Sequence, residues 1–274
     1  MKDKTVRILL LLSLVVVLFV LYIWYLESTA IFLPSREITT TPQSLGVPYE
    51  NITFKTQDGV ILNGWLAKPA QHSKRSTLIY FHGNAGNISD RAEKVAAFVK
   101  LGLNVFIIDY RGYGKSQGKP TEKGLYSDAI AAYDYVIKRP DIDKERIVVY
   151  GVSLGGAPAI DLATKRKIAA LIIESSFSNA HDMARIIVPF APAFLIRTQM
   201  ASDTKVQSLM IPKLFVHSRE DETIPFVLGK KLFDAAPHPK EFLEISGTHN
   251  EGYLLNSSLY WSGINRFLEK NKLL

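Results

Sequence analysis

Arg146-Ile147-Val148-Val149-Tyr150, running straight into Gly151-Val152-Ser153-Leu154-Gly155, is the stretch on which the reading of this chain turns. The first five residues are a short, mostly apolar run of the kind that forms a buried strand. The next five match G-x-S-x-G and stand directly before a stretch that reads as a helix, the context that gives this motif its meaning. A sharp strand-to-helix turn holds its serine in a strained backbone conformation with the hydroxyl exposed, and only glycine leaves room two residues to either side. The N-terminus of the following helix adds a field that favours developing negative charge. A dinucleotide-binding reading fails, because Ser153 replaces the middle glycine that G-x-G-x-x-G requires.

Outward from this point, short apolar runs alternate with amphipathic segments. Strands are predicted at Thr77 to Phe81, Asn104 to Asp109, Arg146 to Tyr150, Ala169 to Glu174, Lys213 to His217 and Glu241 to Ile245. Ala92, Val95, Ala96 and Val99 recur at helical spacing, as do Leu125, Ala129, Ala132 and Val136. Strands separated by helices imply an α/β fold with a mostly parallel central sheet and helices on both faces. Upstream, Gln57-Asp58-Gly59 between the alternating segments Ile52 to Thr56 and Val60 to Trp65 is a hairpin signal that opens an antiparallel edge. Sites in such sheets lie just beyond the carboxyl ends of the strands. Between Glu174 and Lys213 lies a longer insert, 178–212, whose Ile186 to Leu195 stretch is more apolar than a surface loop; it is either core or a small cap over a greasy pocket.

A serine needs a base, and histidine suits that role because its ordinary pKa lies near neutrality. Of six histidines, His249 in Gly247-Thr248-His249-Asn250 falls after the last predicted strand and before the final helix. Asp221 follows the strand that ends at His217, giving the chain order Ser, Asp, His; Glu220 and Glu222 flank it, and Glu174 is a second candidate acid. The backbone N–H of Leu154 is one expected oxyanion donor. The other is the N–H of Asn84 in His82-Gly83-Asn84-Ala85-Gly86, where His82 reads as a loop-shaping residue. Gly114-Lys115-Ser116 ends like a phosphate-binding loop, but the position of that motif's first glycine is Asp109, so Asp109 to Ser116 reads as a turn shaping the pocket wall.

The chain has 274 residues, enough for one large catalytic domain, expected over 49–274. Its 47% apolar and 22% charged residues describe a globular protein. The net charge of +7 is scattered, without the basic stripe that nucleic acid would need. With no cysteine, disulfides, thiolate zinc sites and thiol nucleophiles are excluded. Ile8 to Leu26 is apolar apart from Ser13, and as a helix it would run roughly 28 Å, the thickness of bilayer hydrocarbon. Lys2, Lys4 and Arg7 precede it, and Tyr22, Trp24 and Tyr25 stand near its far end. This predicts a membrane anchor over 1–28, N-terminus cytoplasmic and catalytic domain on the far side. The alternative is a signal peptide, for which Ser28-Thr29-Ala30 offers small residues. Pro34, Thr39-Thr40-Thr41-Pro42 and Pro48 make 29–48 an extended linker.

Together these segments resemble the α/β-hydrolase superfamily, and within it the BEM46-like, ABHD-like branch of single-pass membrane serine hydrolases. The stretches that carry the resemblance are Phe32 to Ser35, Asp58 to Trp65, Phe81 to Asn87, Asp109 to Gly114, Gly151 to Gly156 and Asp221 to Pro225. Ser218 departs from it, because relatives usually have glycine after the histidine of that strand. The resemblance implies Ser153, Asp221 and His249 as catalytic residues, Asn84 and Leu154 as oxyanion donors, and no metal or organic cofactor. The expected reaction is hydrolysis of a small-molecule or lipid carboxylic ester or thioester with an apolar acyl group. A peptidase of the same fold and a catalytically silent membrane-tethered scaffold are the rivals.

Overall fold

The structure is a computed structural model that describes residues 2–69 and 75–274. The chain opens with a long helix, α1 (Lys2–Ala30), followed by β1 (Leu33–Pro34), β2 (Tyr49–Lys55), β3 (Ile61–Ala67), β4 (Thr77–Phe81) and β5 (Ala85–Gly86). Then come α2 (Ala92–Lys100), β6 (Asn104–Asp109), α3 (Glu122–Val136), β7 (Ile147–Val152), α4 (Gly156–Ala163) and β8 (Ala170–Glu174). The last part holds α5 (Ala180–Ile187), α6 (Ser202–Lys205), β9 (Lys213–Ser218), α7 (Phe226–Ala235), β10 (Lys240–Ile245), α8 (Gly252–Leu255) and α9 (Ser257–Lys270).

Eight of these strands form one sheet in the order β10-β9-β8-β7-β4-β6-β3-β2. Only β3 runs against its neighbours, so the sheet is parallel except at its hairpin edge. The reason is burial: every side chain of β4, β6 and β8 is buried, as a central strand covered on both faces requires. Alternate side chains feed two cores. Ile79, Phe81 and Val149 pack with α3, α4 and α7, while Leu78, Tyr80, Val148 and Tyr150 pack with α2 and α9. The hairpin turns at Gly59, whose φ of +88° suits a residue without a Cβ. Its strands run farther than the alternation predicts, with Tyr49 and Trp65 in tilted ring contact at 5.3 Å diagonally across the added pairs.

Residues 29–48, expected to be an extended linker, lie against the sheet end of the molecule. Leu33–Pro34 pairs in parallel with Ala85–Gly86, Pro42 to Leu45 forms a helical turn, and Val47 is buried in the second core. Within the described residues one helix segment, Lys4–Glu27, is long and apolar enough to cross a membrane. The Ile186 to Leu195 stretch is not core: Ile186, Ile187, Phe190 and Phe194 are all exposed.

Arg111 joins hairpin to helix. Its backbone N–H and guanidinium donate to buried Asp128 of α3 at 2.8–2.9 Å, and the same guanidinium holds Asp58 of the hairpin turn at 2.8 and 3.1 Å. Removing one partner of a buried pair leaves the other desolvated and uncompensated, so Asp128→Ala is expected to cost about 3–5 kcal/mol in urea unfolding of detergent-solubilised protein. A second test concerns Asp109 at the end of β6, where burial pushes its carboxyl from an ordinary 3.8 up to about 7. The folded chain therefore keeps a proton that the unfolded chain releases. The stability this proton contributes is complete below pH 4 and is lost as pH rises towards 7. Asp109→Asn should gain on the parent by about 2–3 kcal/mol between pH 5 and pH 8, read from the same unfolding curves.

Candidate active site

Ser153 sits where β7 gives way to α4, with φ of +53°, a left-handed conformation rare for a residue with a side chain. Its flanks explain how the turn closes. A Cβ on Gly151 would lie 2.4 Å from the Gly155 carbonyl oxygen, and one on Gly155 would lie 2.1 Å from that of Phe81 in β4. Both are far inside contact distance, so the two glycines are required by the backbone crossing itself. Ser176 Oγ donates to the Ser153 carbonyl at 2.8 Å and braces the turn from β8. Leu154, the next residue, belongs to the first turn leading into α4, where N–H groups have no acceptor within the helix.

Beyond the carboxyl ends of β9 and β10, two loops are stitched together. His249 Nδ1 lies 2.8 Å from Asp221 Oδ2, and Asp221 is fully buried there. Asp221 Oδ1 accepts from the N–H groups of Thr223 and Ile224 at 3.0 and 2.7 Å, which fixes the carboxylate before the imidazole meets it. The neighbouring acids, which the sequence leaves without a role, hold the histidine loop by its backbone. Glu220 accepts from Gly247 N–H at 2.7 Å and Glu222 from His249 N–H at 3.0 Å. Ser218, the departure from the family pattern, donates its hydroxyl to the Gly247 carbonyl and accepts from Glu220 N–H at 3.1 Å. It thus adds another tie between the same two loops. His217 is buried against Gly229 with Nε2 on the Ile224 carbonyl at 2.9 Å, and burial pulls its pKa down, keeping it neutral.

The loop after β4 is held from three sides. His82 Nδ1 donates to the Gly83 carbonyl at 2.7 Å. Because a trans peptide points its N–H opposite to its C=O, this bond also sets the direction of the Asn84 N–H. The Asn84 carbonyl accepts from Leu33 N–H at 3.1 Å and Tyr113 Oη at 2.7 Å, and Tyr110 Oη donates to the His82 carbonyl at 2.9 Å. Residues 109–116 thus back the loop. His82 itself is wholly buried, and burial pulls its pKa down to about 3, so it stays neutral.

Glu174, the second candidate acid, is taken by other partners. Lys94 Nζ lies 2.8 Å from it and the hydroxyls of Tyr150 and Tyr260 donate to it, all buried. Burial raises this carboxyl, but Lys94 and the two tyrosines hold it below the ordinary range.

Ser153, Leu154 and Asn84 share one cavity of about 390 Å³. Thr223 and Ile224, the residues tied to Asp221, line it as well, so the acid loop reaches the same space. Its walls are apolar: Phe177, Met183 and Ile187 on one side, Ile23, Leu26 and Ala30 of α1 on another. That α1 belongs to this lining is absent from the sequence pattern, since an apolar helix carries no mark of what one end touches. Among the described residues no group of three or more His, Asp or Glu side chains is arranged to hold a metal ion.

Residues 72–197 match the family described as "Serine aminopeptidase, S33". The chain is 36% identical over 257 residues to the alpha/beta hydrolase domain-containing protein WAV2 of Arabidopsis thaliana, covering 86% of this chain and 83% of that protein. It is likewise 36% identical over 249 residues to protein bem46 of Schizosaccharomyces pombe, covering 87% and 83%. Its fold superimposes on an esterase of Pyrococcus furiosus with a TM-score of 0.72 at 22% identity, covering 87% of this chain and 98% of that one. At 36% identity to WAV2 and to bem46 over most of its length, this chain belongs to the α/β-hydrolase family.

Proposed function

We propose that this protein is a serine hydrolase that cleaves carboxylic esters or thioesters with an apolar acyl group. The observation that carries the reading is the 2.8 Å pairing of His249 Nδ1 with buried Asp221, in a fold whose Ser153 turn opens into an apolar cavity. Asp221 fixes the imidazole tautomer with hydrogen on Nδ1, so Nε2 is left to move the proton. Ser153 Oγ attacks the acyl carbon and passes its proton to His249. The oxyanion takes the N–H groups of Leu154 and Asn84, each contributing about 3 kcal/mol. The bond to the alcohol or thiol then breaks as His249 returns the proton to it. Water, deprotonated by His249, attacks the acyl-enzyme next; the acid departs and Ser153 recovers its hydrogen. Positions 1–28 act as membrane anchor, 29–48 join it to the catalytic domain while packing on that domain through Leu33, Pro34 and Val47, and 49–274 act as the catalytic domain, with 178–212 as its cap.

An aminopeptidase reading draws on the description of the matched family. It needs a free carboxylate in the site to receive a substrate's ammonium group. Among the described residues Glu27 is the only acid lining the cavity, and its oxygens accept from the N–H groups of Arg197 and Thr198 at 3.3 and 2.6 Å. An ester fits this lining better. The same bonds favour a retained anchor over a cleaved signal peptide, since cleavage after Ala30 would remove a residue that binds the cap. The basic residues ahead of the apolar run favour a cytoplasmic N-terminus with the catalytic domain across the membrane. Protease applied to intact cells should digest that domain, and a domain left untouched would reverse the orientation.

Full-length protein in detergent should react with a fluorophosphonate and give a burst with p-nitrophenyl esters. Ser153→Ala should abolish the labelling and lower kcat at least about 10⁴-fold; an unchanged burst in that variant would end the proposal. His82→Ala releases the Gly83 peptide and should lower kcat up to about 10²-fold with KM little changed, because the donor it directs acts on the transition state.

A further inference from the structure

Along most of α1 the apolar side chains are exposed, as in a helix surrounded by lipid, but its last turns differ. Ile23 is only 1% exposed, and Ile23, Leu26, Glu27 and Ala30 line the cavity over Ser153. These positions follow i, i+3, i+4, i+7, a single helix face. Specific bonds seat that face. Trp24 Nε1 donates to the Leu195 carbonyl at 3.1 Å, and the Arg197 guanidinium lies 3.1 Å over the Trp24 ring. Glu27 holds the backbone of Arg197 and Thr198 as described above.

The other side of the cavity is the insert between β8 and β9. Next to Leu195, the residue that binds Trp24, the insert exposes Phe194 at 85%, and Phe190 and Ile187 are exposed at 59% and 61%. Apolar surface of this extent beside a membrane-spanning helix suits the acyl boundary of a leaflet. Trp24 lies at the end of the apolar span, where tryptophan favours the interface. The cavity's 390 Å³ lies towards the low end of the range of about 300–1,000 Å³ for ligand sites, room for one chain. Glu27 is committed to backbone, and the polar residues Asn84, Ser153 and Thr223 are few among apolar walls, so the bulk of the cavity suits an acyl chain rather than a charged headgroup.

We propose that the end of the anchor is a wall of the acyl site, and that the substrate is a single-chain amphiphile drawn from the adjoining leaflet. Its acyl chain lies between α1 and the insert, with its ester at Ser153. The position of the ester rests on the hydrolase reading above; the seat of the chain does not.

The test uses the full chain reconstituted in phosphatidylcholine vesicles, with a monoacylglycerol carrying a diazirine in its palmitoyl chain as photoprobe. Crosslinks are expected within residues 23–31 and 177–200, in the parent and in Ser153→Ala alike. Ala30→Trp should cut crosslinking at least about tenfold and should lower p-nitrophenyl palmitate hydrolysis at least about tenfold more than p-nitrophenyl acetate hydrolysis. Leu21→Trp, on the opposite face of the helix and 51% exposed, should change none of these. Crosslinks absent from both segments, or an Ala30→Trp variant that affects both esters equally or neither, would overturn the proposal. Crosslinks at the seat in a parent chain that hydrolyses neither ester would uphold the seat and sink the hydrolase reading alone.

Discussion

The closeness of two backbones at the middle of the sheet governs this molecule. Gly155 passes so near the Phe81 carbonyl that a Cβ would come within 2.1 Å of its oxygen. Because Phe81 and Gly151 are register partners in neighbouring strands, that approach brings the end of β4 beside the start of α4. The residue after Phe81 begins the loop that carries Asn84, and the residues after Gly151 carry Ser153. One steric allowance therefore brings a hydroxyl and a backbone donor loop into one cavity. The left-handed Ser153 stores on the order of 1–3 kcal/mol of strain, which the tightly buried strands around it hold in place.

How much of this the sequence discloses depends on the range of the interaction concerned. Thr77 to Phe81 and Asn104 to Asp109 are read to the residue, because a strand buried on both faces leaves an unbroken apolar run with polar breaks at its ends. The glycines around Ser153 are legible for the same local reason. Long-range polar ties are not. Glu220 and Glu222 look like idle loop acids until β9 and β10 pair and bring Gly247 and His249 beside them. Glu174 occupies a plausible position for an acid, and its partner is Lys94, 80 residues earlier on α2. Residues 29–48 lack periodicity because many of their ties run from backbone, as at Leu33 and Ser35, to distant loops, and bonds of that kind leave no trace in side-chain pattern.

The buried cluster around Glu174 shows the same economy of placement on the other face of the sheet. Lys94 from α2, Tyr150 from β7, Glu174 from β8 and Tyr260 from α9 meet in the second core. Lys94 also lies 3.9 Å over the Tyr253 ring, which belongs to α8 just after the histidine loop. A charge pair this deep tolerates no loss of either member, so it locks four elements in mutual register.

The short pairing of Leu33–Pro34 with Ala85–Gly86 has a practical consequence for anyone wishing to shorten the apolar N-terminal helix. The place of the cut decides what remains. A chain starting at Leu33 keeps the N–H that holds the Asn84 carbonyl but forfeits one wall of the cavity. A chain starting at Glu37 also forfeits that N–H and the Arg36 guanidinium that grips the Gly114 carbonyl. The safer edit leaves residues 23–36 in place and replaces the exposed apolar side chains upstream with polar ones, because the apolar helix and the cavity share their boundary residues.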